Sequence, residues 1–140
     1  RVKKVISWAS PSNFLDRLPK KEKLAKWKEL GVAYIYNGRT KQNMPMYFQF
    51  YENCIKFAKR LSIKDAVSKM SIPHLLVHGS DDPTVFLSEG MNIKSWNTNT
   101  NLHVIDGANH VLGGFHPYDL EKFPKDLQEA IDVTIKFLKG

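Results

Sequence analysis

Two side chains that could carry out acid–base chemistry stand where the chain turns after short apolar runs. Asp82 follows Gly79 within the stretch Pro73–Val85, and His110 follows the next apolar run in the turn 106–110. A histidine base needs a partner that keeps one ring nitrogen protonated and stabilises the imidazolium, and a carboxylate on a neighbouring turn can do both. We therefore predict that Asp82 and His110 form an acid–base pair.

Each of the two residues also has a purely structural interpretation. Asp82 could cap the helix that follows it, and His110 could be an ordinary loop histidine. Asp81 is a further alternative for the acid, because spacing alone cannot separate neighbouring carboxylates. We expect Asp81 to face solvent or cap the turn, and we predict Asp82 as the acid and His110 as the base.

Alternating strands and helices are predicted to position the pair. Apolar and β-branched runs bounded by turn residues predict strands at 2–8, 74–78 and 102–105. Helical spacing of apolar residues predicts helices at 20–30, 44–60, 63–70, 86–96 and 123–138. Val32–Tyr36 and the Asn37–Gly38 turn signal predict a small hairpin or an ordered loop. This alternation predicts an α/β fold with three parallel, adjacent strands, whose carboxyl ends bring Asp82 and His110 to one edge.

Composition excludes several classes of protein. The 140 residues are 42% hydrophobic, enough for one domain with a core, and the single cysteine, Cys54, rules out an intrachain disulfide. The lone cysteine fits a reducing compartment, so we expect a cytoplasmic protein. No apolar run approaches the ~20 residues needed to span a bilayer. The net charge of +7 is spread along the chain, which favours a solvated basic surface over nucleic-acid binding.

The other polar candidates carry weaker predictions. His74 and His78 share one face of a strand, where packing is favoured over metal binding because no third ligand accompanies them. His103 is expected to point out of the core, and His116 is a loop residue that could approach a substrate. Arg39 could bind an anionic group, although a structural salt bridge is the favoured role. We expect no metal and no organic cofactor.

The residues around the predicted pair carry a resemblance to a known family. The stretches 72–85 and 104–114 resemble the C-terminal half of the α/β-hydrolase fold. In that family the triad acid follows a His-Gly pair at the end of the penultimate core strand, and the base lies in the loop after the last strand. The resemblance implies that Asp82 is the triad acid and His110 the triad base.

The resemblance extends over nearly the whole chain and implies a three-layer, partial parallel sheet with a mostly helical cap-like segment. It implies a single partial domain in three parts: a core strand and loop at 1–18, the cap-like segment at 19–71, and the C-terminal core at 72–140. The stretches 37–42 and 113–117 look most like the dienelactone-hydrolase and prolyl-oligopeptidase-like branch.

The sequence departs from the family at the nucleophile. The family's serine lies in a Gly-x-Ser-x-Gly elbow and its oxyanion hole uses the N–H after that serine, but no serine of this chain lies in that pattern. Ser10 and Ser80 lie near strand ends without the elbow. Because residue 1 is arginine and a strand is predicted from residue 2, we expect the chain to begin inside a fold, with the elbow in an N-terminal half that precedes it.

The prediction for function follows from these residues. We expect the C-terminal portion of a serine hydrolase that cleaves an ester or peptide acyl bond, and we expect this chain alone to be inactive because triad members act as a unit. The alternative is a non-catalytic α/β module that binds a small molecule or a protein partner. The strand at 2–8 is expected to leave an open edge, which predicts self-association there.

Overall fold

The computed structural model describes residues 1–38, 40–119 and 121–140. The chain divides into two compact units, one formed by residues 1–12 and 63–140 and the other by residues 13–62. Arg39, the candidate for binding an anionic group, lies outside the described residues.

The secondary structure follows the predicted alternation of strands and helices, with a single-turn 3-10 helix at Leu15–Arg17. In chain order the elements are β1 (Val5–Trp8), α1 (Lys21–Leu30), β2 (Val32–Asn37), β3 (Gln42–Tyr47), α2 (Gln49–Lys56), α3 (Ile63–Ser68), β4 (His74–Gly79), α4 (Leu87–Trp96), β5 (Thr100–Ile105) and α5 (Lys125–Lys139). Helix α3, which the sequence grouped with the cap-like segment, belongs to the unit that holds β1, β4 and β5.

A three-stranded sheet organises the first unit. β4 lies in the middle, with β1 on one side and β5 on the other, and both pairings are parallel. Ile6 lies opposite Leu75, and Leu76 lies opposite Leu102. The expectation of three adjacent parallel strands is confirmed, and the carboxyl ends of β4 and β5 meet at one edge.

Both faces of this sheet are covered by helices. Leu75 and Val77 on β4 pack with Ala130 of α5 in one buried cluster, together with Ile105 and Leu112. Leu76 points the other way and packs with Val67 of α3 and Ile93 of α4. Every residue of β4 is buried, which is why its sequence is a nearly continuous apolar run. The unit therefore has the three layers of an α/β fold.

The second unit contains two helices and a two-stranded hairpin. β2 and β3 pair antiparallel, with Ala33 opposite Met46. Trp27 of α1 is the large buried side chain here, and its ring N–H donates to the carbonyl of Met46 at 2.8 Å. Helix α1 ends at Gly31, whose φ of +69° is the left-handed conformation that glycine adopts easily.

One segment differs in type from the sequence prediction. Residues 44–47 were expected in a helix, but they belong to β3 because their backbone pairs with β2, an interaction that local spacing does not report. In α5 the side chains of Leu127, Ala130, Val133 and Phe137 face the core. Ile135 and Leu138 lie outside this packed face and are exposed.

No helix among the residues that the structure describes is both long and apolar enough to cross a membrane.

Candidate active site

Asp82 is held by the turn that connects β4 to α4. Its side chain is almost fully buried, and Oδ1 accepts hydrogen bonds from the backbone N–H groups of Thr84 and Val85, both at 2.8 Å. Pro83, which directly follows Asp82, has no N–H, and the next two N–H groups of the turn, those of Thr84 and Val85, both donate to one carboxylate oxygen. This arrangement fixes the Asp82 carboxylate and leaves Oδ2 available for another partner.

That partner is His110, in the loop after β5. Its Nδ1 lies 2.8 Å from Asp82 Oδ2. Since an ionised carboxylate can only accept, the His110 Nδ1–H must donate, and Nε2 is then the ring nitrogen with a lone pair. The His110 side chain is 37% exposed while that of Asp82 is fully buried, so the reactive nitrogen is accessible from one side.

The two loops that carry Asp82 and His110 are bonded to each other. The N–H of Ser80 donates to the carbonyl of Ile105 at 3.0 Å, and the N–H of Asp81 donates to the carbonyl of Ala108 at 3.1 Å. Gly79 permits this approach, because a Cβ there would lie only 2.1 Å from the carbonyl oxygen of Ala108. The glycine of the His-Gly pair therefore has a steric reason to be a glycine.

The turn around His110 is anchored on both sides. Ala108 and Leu112 are buried in the sheet core, and the N–H of Leu112 donates to the carbonyl of Asn109 at 3.0 Å. The side-chain oxygen of Asn109 accepts from the N–H groups of Val111 at 3.1 Å and Gly113 at 3.2 Å. These contacts hold the His110 backbone while its ring points to Asp82.

The surroundings of Asp82 favour its charged form. Burial alone would raise the pKa of Asp82, but the N–H of Val85, the ring N–H of His110 and the N–H of Thr84 together outweigh burial. They hold the pKa of the Asp82 carboxyl below its ordinary value. A carboxylate that stays ionised at neutral pH can stabilise a neighbouring imidazolium, as an acid–base pair requires.

The structure separates Asp81 from Asp82. Asp81 is exposed and its Oδ1 accepts a hydrogen bond from the hydroxyl of Ser80 at 3.1 Å. Ser80 also accepts from the N–H of Gly107 at 2.7 Å. Asp81 and Ser80 thus tie the two loops together, and neither forms a hydrogen bond with His110 among those the structure gives.

The other histidines lie apart from this pair or beneath it. His74 is buried at the start of β4, where its ring bridges the hydroxyls of Ser7 at 2.9 Å and Thr100 at 3.1 Å across the three strands. His103 lies 2.9 Å from a carboxylate oxygen of Glu129, and His116 is exposed in the loop after His110. Within the described ranges, no group of three or more His, Cys, Asp or Glu side chains could hold a metal ion.

Sequence reasoning missed one residue that contacts the site. His78, predicted as a packing residue, lies with its Nε2 at 3.7 Å from Asp82 Oδ2. The signal was available, because residues 78 and 82 flank the turn at the end of one strand. It was not decisive, because a histidine on a buried strand usually makes only packing and backbone contacts.

A scan against protein-family models finds no match to this sequence, and neither does a search of curated proteins.

Solved structures with a similar fold do exist. Est1E from Butyrivibrio proteoclasticus with ferulic acid bound matches with a TM-score of 0.62 at 18% identity, over 98% of this chain and 49% of that chain. The esterase domain of a Rhodothermus marinus protein matches with a TM-score of 0.55 at 21% identity, over 81% of this chain and 45% of that chain. An alpha/beta hydrolase enzyme from a sediment metagenome of the Mar Chica lagoon in Morocco matches with a TM-score of 0.54 at 16% identity, over 99% of this chain and 52% of that chain.

This likeness concerns the fold. The chain spans about half the length of each of these three structures. Together with the parallel sheet and its two helical layers, the matches show that this chain has an α/β-hydrolase fold.

Proposed function

We propose that this chain provides the acid and the base of a Ser-His-Asp hydrolase that cleaves an ester or peptide acyl bond. The observation that carries the proposal is the 2.8 Å contact between His110 Nδ1 and the buried Asp82 Oδ2. The pair lies at the carboxyl edge of a parallel sheet, where ligand sites of open α/β sheets are found. Two of the structures with a similar fold are described as the esterase domain of a Rhodothermus marinus protein and as Est1E with ferulic acid bound, and the first description supports an ester as the substrate class.

The nucleophile is proposed to come from outside these 140 residues. The sequence has no Gly-x-Ser-x-Gly elbow, and the chain spans about half of the structures it resembles. We propose that an N-terminal half supplies the serine and the oxyanion hole, and that this chain alone does not turn over substrate. The branch resembled by residues 37–42 and 113–117 stays a prediction.

In the proposed reaction each group has one task. The serine hydroxyl attacks the acyl carbonyl while His110 Nε2 accepts its proton. His110 then donates that proton to the leaving alcohol or amine. Asp82 keeps the His110 ring in the Nδ1–H tautomer and stabilises it when both nitrogens are protonated. Water then attacks the acyl-enzyme while His110 Nε2 accepts its proton; His110 donates that proton to the serine oxygen as the acyl–serine bond breaks, and the carboxylic acid is released.

Hydrolysis of a short p-nitrophenyl ester tests this proposal. The assay compares the 140-residue chain with a chain extended toward the N-terminus that includes a Gly-x-Ser-x-Gly segment. We expect the extended chain to be active and the short chain to be inactive. In the extended chain, His110→Ala and Asp82→Asn should each lower kcat on the order of 10⁴-fold or more.

Asp81→Asn is the matched control, since it removes the neighbouring carboxylate that does not face His110. It should leave kcat within a few-fold of the unmodified chain. Activity that survives Asp82→Ala together with His110→Ala would rule out the triad assignment. Activity of the 140-residue chain itself would show that the serine lies within it, and no activity in any extended chain would favour the non-catalytic module.

A further inference from the structure

His78 occupies a position that packing alone does not explain. Its side chain is completely buried near the end of β4, on the face of the sheet that α4 covers. It lies next to the acid of the proposed triad, yet it is neither the predicted base nor exposed to a substrate. Its ring contacts show what it does there.

One nitrogen of the His78 ring connects to the Asp82 turn. Nε2 lies 2.8 Å from the carbonyl oxygen of Val85, so it must carry the proton and donate. Val85 in turn donates its N–H to Asp82 Oδ1 at 2.8 Å. The His78 ring therefore holds Val85, the last residue of the turn, and Val85 holds the Asp82 carboxylate.

The same nitrogen also approaches the carboxylate itself. His78 Nε2 lies 3.7 Å from Asp82 Oδ2, the oxygen that His110 Nδ1 contacts at 2.8 Å. Asp82 Oδ2 is thus placed between two imidazole rings, one buried and one partly exposed. A rotation of the carboxylate that moves Oδ2 away from His110 would therefore also change its distance from the His78 N–H.

The other nitrogen of His78 is unusual. Nδ1 is buried and makes no hydrogen bond with the residues that the structure describes. Buried polar atoms almost always have a partner, so a leucine or phenylalanine would fill this space with less penalty if filling were the only role. Helix α4 leaves room for the ring at Gly90, where a Cβ would lie 2.8 Å from Nδ1.

We propose that His78 is a positioning residue that holds the Asp82 carboxylate in the orientation in which Oδ2 faces His110. It acts through the hydrogen bond that Nε2–H donates to the carbonyl oxygen of Val85, which requires a proton on Nε2. Gly90 is part of the same arrangement because any larger residue would displace the ring. This inference rests on the proposed function for its catalytic meaning, but the contact it describes is measurable without turnover.

The experiment follows the Asp82–His110 contact by NMR in the 140-residue chain. Long-range ¹H–¹⁵N spectra report the tautomer of each histidine, and the His110 Nδ1–H signal reports the hydrogen bond to Asp82. In the unmodified chain we expect His78 to be protonated on Nε2, and the His110 Nδ1–H to be protected from solvent exchange. A His78 ring that lacks a proton on Nε2 would overturn the proposal.

Two amide variants form a matched pair. His78→Gln places its amide nitrogen near the position of Nε2 and can still donate to Val85, whereas the shorter His78→Asn places it near Nδ1 and cannot. We expect the His110 Nδ1–H signal to persist in His78→Gln and to be lost to exchange in His78→Asn. If His78→Asn does not fold, His78→Phe replaces it, because it keeps a ring and lacks the donor. An unchanged signal in a folded variant that lacks the donor would overturn the proposal.

A second measurement separates this inference from the proposed function. In an active extended chain, loss of the donor should lower kcat on the order of 10²-fold with KM nearly unchanged, and His78→Gln should restore most of it. If the hydrolysis assay fails in every chain, the NMR result still decides whether His78 holds Asp82. If hydrolysis depends on Asp82 and His110 while neither kcat nor the His110 Nδ1–H signal changes in the His78 variants, the triad assignment holds and this inference is wrong.

Discussion

At the scale of single residues, the site depends on one buried carboxylate with several donors. Asp82 accepts from two backbone N–H groups and from His110, and these donors outweigh the effect of burial on its charge. The contact between Asp82 and His110 could be predicted from the sequence, because each residue follows an apolar run in a turn. The role of His78 could not, because it depends on which way a ring nitrogen points.

The lowered pKa of Asp82 predicts how acid affects stability. A carboxylate whose folded-state pKa is below its unfolded value stabilises the fold above the unfolded value, about 4. That contribution is lost as pH falls below about 4 through the lower folded-state pKa. We expect Asp82→Asn to reduce the free energy of unfolding at pH 7 by roughly 2 kcal/mol and to flatten its decline below pH 4. Urea unfolding at several pH values measures this, with Asp81→Asn as the control that should retain the decline.

His74 is a base and Asp82 an acid, but both make the free energy of unfolding fall as the pH falls. Burial lowers the pKa of His74, so the ring stays neutral in the folded chain while it gains a proton in the unfolded chain below about pH 6.5. Its contribution is complete above that pH and decreases as the pH falls below it. We expect His74→Gln to lower stability at pH 7.5 by about 1–3 kcal/mol and to make the loss between pH 7 and 5.5 shallower. His116→Gln, in an exposed loop, should leave the slope unchanged in urea unfolding at the same pH values.

At the scale of elements, β4 does most of the positioning. It is buried on both faces, pairs with a parallel strand on each side and ends at Gly79 against the carbonyl of Ala108. The strand was predictable because it is a continuous apolar run between turns. β3 was not, because residues 44–47 owe their conformation to pairing with β2 and carry few strand-favouring side chains.

Gly79 offers a test at this scale. In Gly79→Ala the new Cβ would meet the Ala108 carbonyl oxygen at 2.1 Å, and this oxygen belongs to the backbone, which cannot move aside as a flexible side chain would. We expect a loss of about 1–3 kcal/mol in the free energy of unfolding, and also loss of the protected His110 Nδ1–H signal as the two loops move apart. Gly38→Ala is the matched control, because no atom of the described residues, apart from those next to it in the chain, lies within 4 Å of a Cβ there. Equal stability of the two variants would contradict the close approach.

At the scale of the whole molecule, β1 leaves one edge of the sheet open among the described residues. The N–H of Val5 donates to the carbonyl of Pro73, just before β4, and that of Ala9 donates to the carbonyl of Val77 in β4. By the alternation of a strand, the N–H groups of Ile6 and Trp8 point to the opposite side. An unpaired row of this kind is a template for another strand. The sequence predicted an open edge at residues 2–8, and in the sheet order β1-β4-β5 the strand β1 is an edge strand.

We propose that this edge takes up a second strand at high protein concentration. The amides of Ile6 and Trp8 should then become more slowly exchanging as concentration rises, while those of Val5 and Ala9 stay unchanged and act as internal controls. Hydrogen exchange at low and high concentration, with sedimentation velocity alongside, measures this. A chain that stays monomeric, with Ile6 and Trp8 exchanging freely at high concentration, contradicts the proposal.

The bonds between the acid loop and the base loop have one further consequence. The hydrogen bonds described for Asp82 and His110, including those that join Ser80 and Asp81 to Ile105 and Ala108, all lie within residues 74–113. The acid–base half of the proposed site therefore assembles from one contiguous segment. On the proposed function, we expect that a separately produced polypeptide carrying the serine elbow could be combined with this chain, and that hydrolysis in the mixture but in neither part alone would show complementation.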